Sequence, residues 1–466
     1  MTISVTSSRT LLTLTILTLT TTLSARAQVP GQTRFLGGVP SGTATTETLG
    51  LSLTDAIQRA LEHNLGVLMS EHAVEATRGA RWRALSELLP NVDGRVGEAR
   101  QTISLAAYGL TLPGIPSLVG PFNTFDARVF VTQSVFDLKA INDARAESHN
   151  VAAAEFGYKD TRDLVVLAAA QGYLQVLATS ARADATRAQL DTAQALYTQA
   201  VDLRRNGLVA GIDVTRAEVQ LSTERQRTTA AVNDLDKAKL RLARAIGLPI
   251  GQLFALSDEL PYVPMPEITL EQALARALGT RADYQAAVER MRAAEAGRQA
   301  ALGEALPSVH LDANYGALGL TAADASATFS VTGAVTVPIF QGGRTHGRLL
   351  EADAAIRSRR AEVEDLKAGI YYEVRTVFLD LQASTEQVAV ATSGRALATS
   401  QLVQARDRFA AGVADNLEVV QAQEAVALAS EQYITALYAF NTSKATLART
   451  LGVSEEAIRQ FLGGSR

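Results

Sequence analysis

The sequence predicts a mainly α-helical chain with a membrane β portion, built from one unit written twice. Three observations carry this expectation. Proline is missing from Phe122 to Leu248 and again after Pro338, and both tracts are filled with alanine, leucine, glutamine, glutamate and arginine, all good helix formers. Four short segments instead alternate apolar and polar residues with the two-residue period of a strand. The order of motifs also recurs at a nearly constant spacing, the mark of an internal repeat.

Taken from the start, MTISVTSSRTLLTLTILTLTTTLSARAQ places one basic residue, Arg9, before an apolar stretch from Leu11 to Leu23. Ala25-Arg26-Ala27 follows as a small-x-small cleavage site. Residues 1–27 therefore read as a secretory signal peptide with a mature start at Gln28, and residues 28–50 as an extended segment. No later run looks like the roughly twenty apolar residues of a bilayer-spanning helix. Any entry into a membrane is expected to be made by strands.

The repeat begins with LSLTDAIQRALEHN at Leu51 and ITLEQALARALGTR at Ile268, and continues with SELLPNV at Ser86 and GEALPSV at Gly303; both pairs lie 217 residues apart. Further on, GLVAGIDVTRAE at Gly207 matches GVADNLEVVQAQ at Gly412, and LARAIG at Leu242 matches LARTLG at Leu447, now 205 apart. The first copy, 51–260, thus carries a loop about twelve residues longer than the second, 261–466, within AAYGLTLPGIPSLVGPFN. Each copy opens on a capping signal, Ser52 before Asp55 and Thr269 before Gln272, from which one helix runs toward Pro90 or Pro307. Helical tracts from Leu138 to Asn206 and Thr345 to Ala411 come next, then a glycine turn, then a return helix from Asp213 or Asp415.

Between these lie the strands. Val309, Leu311, Ala313 and Tyr315 alternate with polar residues, as do Phe125, Ala127, Val129 and Val131, and Asn91 to Ile103 alternates more weakly. The clearest is ATFSVTGAVTVPIFQGGR from Ala327, whose Phe329, Val331, Val335 and Val337 make one apolar side. Segments of this length suit tilted strands crossing an outer membrane. Lipid tolerates no open sheet edge, and closed barrels start at about eight strands, so four strands per chain require several chains. Two copies would give eight strands and a packed lumen, three would give twelve, and a conduit favours three or more. The plainer alternative is a small soluble sheet covered by the chain's own helices.

Composition narrows the functions. A net charge of −4 and no basic stripe argue against nucleic acid as a partner. With no cysteine there are no disulfides, thiolate metal sites or cysteine nucleophiles. The five histidines, His63, His72, His149, His310 and His346, lack HExxH spacing, and no P-loop, G-x-S-x-G or dinucleotide fingerprint occurs. QGGRTHG around Gly342 reads as a strand-to-helix bend. No enzyme, cofactor or metal is expected.

The repeated LSLTDAIQRALEHN and SELLPNV segments, the strand ending VPIFQGGR, GLVAGIDVTRAEVQL and the closing LARTLG together resemble the TolC-like outer-membrane efflux proteins, in order and in both copies. The resemblance spans about Leu51 to Gly452. It implies a homotrimer whose twelve strands form one barrel in outer-membrane lipid, continued by a long periplasmic α-helical barrel. It also implies docking on a periplasmic adaptor and an inner-membrane pump, as the passive exit of a tripartite efflux pump. The exit duct of a type I protein secretion system shares that architecture, and a pore-free periplasmic scaffold or adhesin is the alternative outside transport.

Carried over position by position, the resemblance places a periplasmic gate at the helix turns. Asp213 stands at the aspartate of the first turn, Phe409 where the second commonly has tyrosine, Glu418 at an acidic position and Gln421 at a frequent aspartate. Arg408 and Gly412 match the arginine and glycine of the second turn, while Ala414 stands where a gate arginine can occur. Phe409 lacks a hydroxyl and Gln421 a carboxylate, so a polar lock would lean on Asp213, Glu418 and Arg408. Gly207, Gly412 and Asp415 would shape the turns that meet the adaptor. The plainer readings are N-terminal capping for Asp213, Asp415 and Glu418, a helix-end cation for Arg408, backbone geometry for the glycines and simple packing for Phe409.

Overall fold

The computed structural model describes residues 35, 37–109, 113–114, 116–264, 268–411, 413 and 416–462. The expected signal peptide, residues 28–34 and 36 of the segment after it, and Gly412, Ala414 and Asp415 lie outside the described residues. The chain is mainly helical with a limited β portion, and the order of elements recurs. β1 (Leu49–Leu51), α1 (Leu53–His63), α2 (Leu65–Ser86), β2 (Asn91–Ser104), β3 (Leu118–Phe136), α3 (Leu138–Arg205) and α4 (Gly211–Ala245) come first. β4 (Phe254–Leu256), α5 (Leu270–Thr280), α6 (Ala282–Gly303), β5 (Ser308–Gly319), β6 (Ser326–Thr336), α7 (Arg344–Ala410) and α8 (Asn416–Thr450) follow. A short α9 (Ser454–Leu462), not anticipated from the sequence, closes the described chain.

Both capping boxes form. Ser52 and Asp55 exchange hydrogen bonds of 3.1 Å in each direction, and Thr269 and Gln272 do the same at 3.1 and 3.3 Å. The helices they start do not run on to the prolines, however. The first breaks at Asn64 and the second at Arg281, where the backbone is extended. At Asn64 the side chain holds the break: its oxygen accepts from Gly66 N–H and its amide donates to the carbonyls of Phe35 and Ala245. At Arg281 the buried guanidinium does so through ion pairs to Asp283 and Glu373.

A second feature of each copy completes the break. Gly247 and Gly452, which end the LARAIG and LARTLG motifs, have φ of 65° and 68°. A Cβ on Gly247 would stand 2.7 Å from the His63 Cβ, and one on Gly452 2.9 Å from the Arg281 nitrogen. Each glycine therefore supplies both the left-handed conformation after its long helix and a close approach to the break in its own copy.

β2, β3, β5 and β6 form one antiparallel sheet in that order, from two hairpins joined through the β3–β5 pair. Register aligns Val92, Val131, Ala313 and Val331 across all four strands, and Tyr315 pairs with Phe329 on the same face. That face is open: Val96 and Phe329 are each 78% exposed and Val331 is 65% exposed. The opposite face carries Asp93, Arg95, Asp126, Arg128, Asn314 and Ser330, with Arg95 and Arg128 flanking the Phe130 ring at 4.5 and 5.2 Å. Phe130 breaks the expected alternation and is held there by those cations. β6 ends at Thr336, so Val337, exposed before Pro338, lies one residue past the strand in which the sequence placed it.

At 68 and 67 residues, α3 and α7 each extend roughly 100 Å. α4 and α8, 35 residues each, fold back on them. Near the middle of this length lies the main core, where Leu51, Ile57, Val166, Tyr173, Leu242, Ile246, Phe254 and Ile458 are buried together. β1 and β4 pair in parallel here, tying the segment before α1 to the one after α4. The expectation that no helix is apolar and long enough to cross a bilayer does not hold: α3 contains an 18-residue window of mean hydropathy 1.5. Val165, Val166, Ala169, Ala170, Tyr173, Leu174 and Val176 on this helix are core residues, so its apolar character is accounted for by packing.

Candidate functional site at the helical turns

The turns at the far ends of the long helices hold the residues singled out in the sequence. α3 closes with the Gly207 N–H on the Arg204 carbonyl and the Leu208 N–H on the Leu203 carbonyl, both 2.9 Å, and Gly207 has φ of 74°. This is a left-handed C-terminal cap, which glycine adopts without a steric cost. Among the described residues no atom lies within 4 Å of where a Gly207 Cβ would be, so conformation rather than crowding selects the residue. The second turn repeats one of these bonds, with the Val413 N–H on the Arg408 carbonyl at 3.0 Å. Leu208, Ile212 and Val413 stand exposed on the two tips.

Asp213 is the third residue of α4 and caps nothing; the helix is preceded by Ala210, which makes no side-chain cap. Its carboxylate lies 3.4 Å from Arg216, and in the first turn it complements the positive end of the helix dipole. Its backbone carbonyl accepts a 3.1 Å hydrogen bond from the Asn416 side chain, which is 2% exposed. That bond joins the start of α8 to the start of α4. Glu418 pairs with Arg408 at 3.6 Å, linking the end of α7 to the first turn of α8. Both side chains are well exposed, so the pair contributes only about 0.2–1 kcal/mol.

Phe409 points away from this polar group. It is 8% exposed and packs with Leu196, Ala405, Val419 and Ala422. Gln421 lies on the exposed side of α8. The structure thus brings Arg408 to Glu418 and Asp213 to Asn416, and leaves Phe409 and Gln421 apart from both.

A second polar cluster, which the sequence reading missed, lies farther along the same two helices. Gln220 donates to Glu224 and Glu424, both at 3.0 Å. Arg227 donates to Glu224 at 2.8 Å and to the two oxygens of Glu424 at 3.0 and 3.1 Å. Burial, with the charge of Glu424 adding to it, pushes the Glu224 carboxyl above the ordinary glutamate range despite Arg227. Burial opposes the Glu424 charge too, but hydrogen bonds from Arg227 and Gln220 outweigh it and hold that carboxyl below its usual value. Pairs some 200 positions apart leave no local pattern, so no signal in one sequence could have found them. Among the described residues no group of three or more histidines, aspartates or glutamates is placed to hold a metal ion.

A family model described as outer membrane efflux protein matches residues 56–248 and 273–453, one stretch in each copy. The chain is 23% identical over 347 residues to the outer membrane protein TolC of Escherichia coli, covering 72% of this chain and 70% of that one. It is 25% identical over 394 residues to the outer membrane efflux protein BepC of Brucella suis, covering 82% of both. The crystal structure of the Campylobacter jejuni CmeC outer membrane channel superposes with a TM-score of 0.75 at 16% identity, covering 90% of this chain and 92% of that chain. Two matched stretches that include most of the chain, on a fold shared along nearly its whole length, place this protein in the outer membrane efflux protein family.

Proposed function

We propose that the chain is the outer-membrane channel of a tripartite efflux pump, a passive conduit for small molecules working as a homotrimer. The observation that carries this reading is the four-stranded sheet. Its apolar face is exposed across every strand, its other face is polar, and its outer strands β2 and β6 have no partner on one side among the described residues. In lipid those edges must be paired, and three copies supply twelve strands, enough to surround water. β2, β3, β5 and β6, at 14, 19, 12 and 11 residues, are long enough to cross. Phe329, Val331 and Val335 would then face lipid, with Val337 at the rim, and the Arg95–Arg128 face would line the lumen.

On this reading the copies are residues 51–260 and 261–466, residues 1–27 direct export across the inner membrane, and the long helices form the periplasmic tube. The turns at Gly207, Gly412 and Asp415 meet the periplasmic adaptor, through which the inner-membrane pump delivers substrate. The closed tip is held by Asp213, Glu418 and Arg408, with Phe409 fixing the end of α7 and Gln421 lining the approach. The test is conductance of detergent-extracted full-length protein in planar bilayers, with the mass of the oligomer measured beside it. A trimer with a low resting conductance is expected, and Asp213→Ala with Glu418→Ala should raise that conductance severalfold. A solitary chain that washes off membranes without detergent and conducts nothing would sink the reading.

A further inference from the structure

Gln220, Glu224 and Arg227 follow one another at helical spacing on a single face of α4, opposite Gln423 and Glu424 of α8. One cation therefore serves two carboxylates. Glu224, on the same helix as Arg227, is 3% exposed, and its second oxygen is buried without a hydrogen-bond partner among the described residues. The side-chain oxygen of Gln423, 8% exposed, is buried without one too. Both residues line a cavity of about 180 Å³ between the α3–α4 and α7–α8 helix pairs. The rest of the wall comes from α3, α4, α7 and α8, Val426 and Ser430 of α8 included, and none of it is titratable. Arg227 and Glu424 are thus the only charged groups that act on Glu224 among its described neighbours.

The two carboxylates cannot act alike. Glu424 draws Arg227 across the gap through two bonds and so joins α8 to α4. An ionised Glu224 competes for the same guanidinium nitrogen along its own helix and repels Glu424. A proton on Glu224 removes both effects, and gives a donor where two buried acceptors otherwise have none. We propose that Glu424 and Glu224 work on the closed tip with opposite signs: the first clamps α8 to α4 through Arg227, and the second, when ionised, loosens that clamp. The inference rests on the channel reading above and adds the control of its resting state. The clamp is tight while Glu224 is protonated and slackens as pH rises past its raised ionisation range.

The experiment measures resting conductance of the full-length protein in planar bilayers, between about pH 5 and about pH 8. Glu424→Gln and Arg227→Gln should each raise it about fivefold at either pH, the order expected for losing a partly exposed charged link. Glu224→Gln, which imitates the protonated side chain in size and charge, should lower it to the wild-type value at the acidic end and remove the rise with pH. The proposal is overturned if the two glutamate substitutions shift conductance in the same direction, or if the pH response survives Glu224→Gln. Those results in a wild type that conducts leave the channel reading standing. A wild type that conducts nothing, even as the Asp213→Ala, Glu418→Ala double variant, removes both.

Discussion

The two copies of the unit share a backbone route and differ in the polar groups that fix it. Asn64 and Arg281 stand 217 residues apart at equivalent breaks, yet one is held by neutral hydrogen bonds to carbonyls and the other by a buried cation with Asp283 and Glu373. Arg449, close to Asp283 and paired with Asp160, extends that network. Gly247 and Gly452, 205 apart, are alike in both conformation and crowding. Lys239 and Lys444, equally spaced, diverge: the first is partly exposed, whereas Lys444 is buried with its ammonium on the Val263 carbonyl at 2.8 Å. Geometry that only one residue type permits has been kept in both copies. Where several chemistries satisfy the same backbone, the copies have drifted apart.

The glycines give the harshest test of that equivalence. Gly247→Ala and Gly452→Ala should each destabilise the fold by roughly 3 kcal/mol, since both combine a positive φ with backbone too close for a Cβ. Thermal unfolding in detergent would read this, and a large loss at one site with none at the other would break the equivalence. The helix breaks come next. Arg281→Ala should cost about 3 kcal/mol, because it takes from the part-buried carboxylates of this break the guanidinium that bridges them and leaves Asp283 only the more distant Arg449, and Asn64→Ala about 2 kcal/mol. The two should also respond differently to salt: only the Arg281 site loses stability as ionic strength rises, and equal salt responses would contradict a neutral break at Asn64 beside a charged one at Arg281.

The lysines give the smallest effect. Burial pulls the Lys444 ammonium down to about 8, below its value in the unfolded chain, so the unfolded chain binds this proton more tightly. Stability should therefore climb as pH passes about 8 toward the ordinary lysine value near 10.4. Lys444→Met should remove that climb and raise stability by about 1 kcal/mol at neutral pH, after the lost bond to Val263 is counted. Lys239→Met should stay within about 0.5 kcal/mol. A pH profile unchanged by Lys444→Met would show that this amine does not carry the burial cost.

These contrasts also mark what a single sequence can reveal. Capping boxes, strand alternation and the long proline-free helices are local codes, and residues such as Ser52, Thr269, Phe329 and Gly207 announce them within a few positions. The breaks at Asn64 and Arg281 are invisible in that way, because helix-forming residues continue on both sides. What stops each helix is a glycine more than 150 residues downstream, together with partners from other elements. β1 and β4, three residues each, are too short to show a period. At the turns the sequence located Asp213, Glu418 and Arg408, but Asn416 and the Gln220–Glu224–Arg227–Glu424 cluster depend on how α4 meets α8.

The two outer strands of the sheet have one further consequence. β2 and β6 differ in sequence and run in opposite directions, so copies joined through them must meet head to tail, with one kind of seam repeated at every junction. Such a seam has no built-in stopping point except the curvature that brings the last copy back to the first. A chain whose β2 edge is spoiled, for instance by a proline that cannot donate to its neighbour, would still offer a sound β6. It could enter a growing ring and leave it permanently open, so that one faulty copy would disable the intact ones beside it.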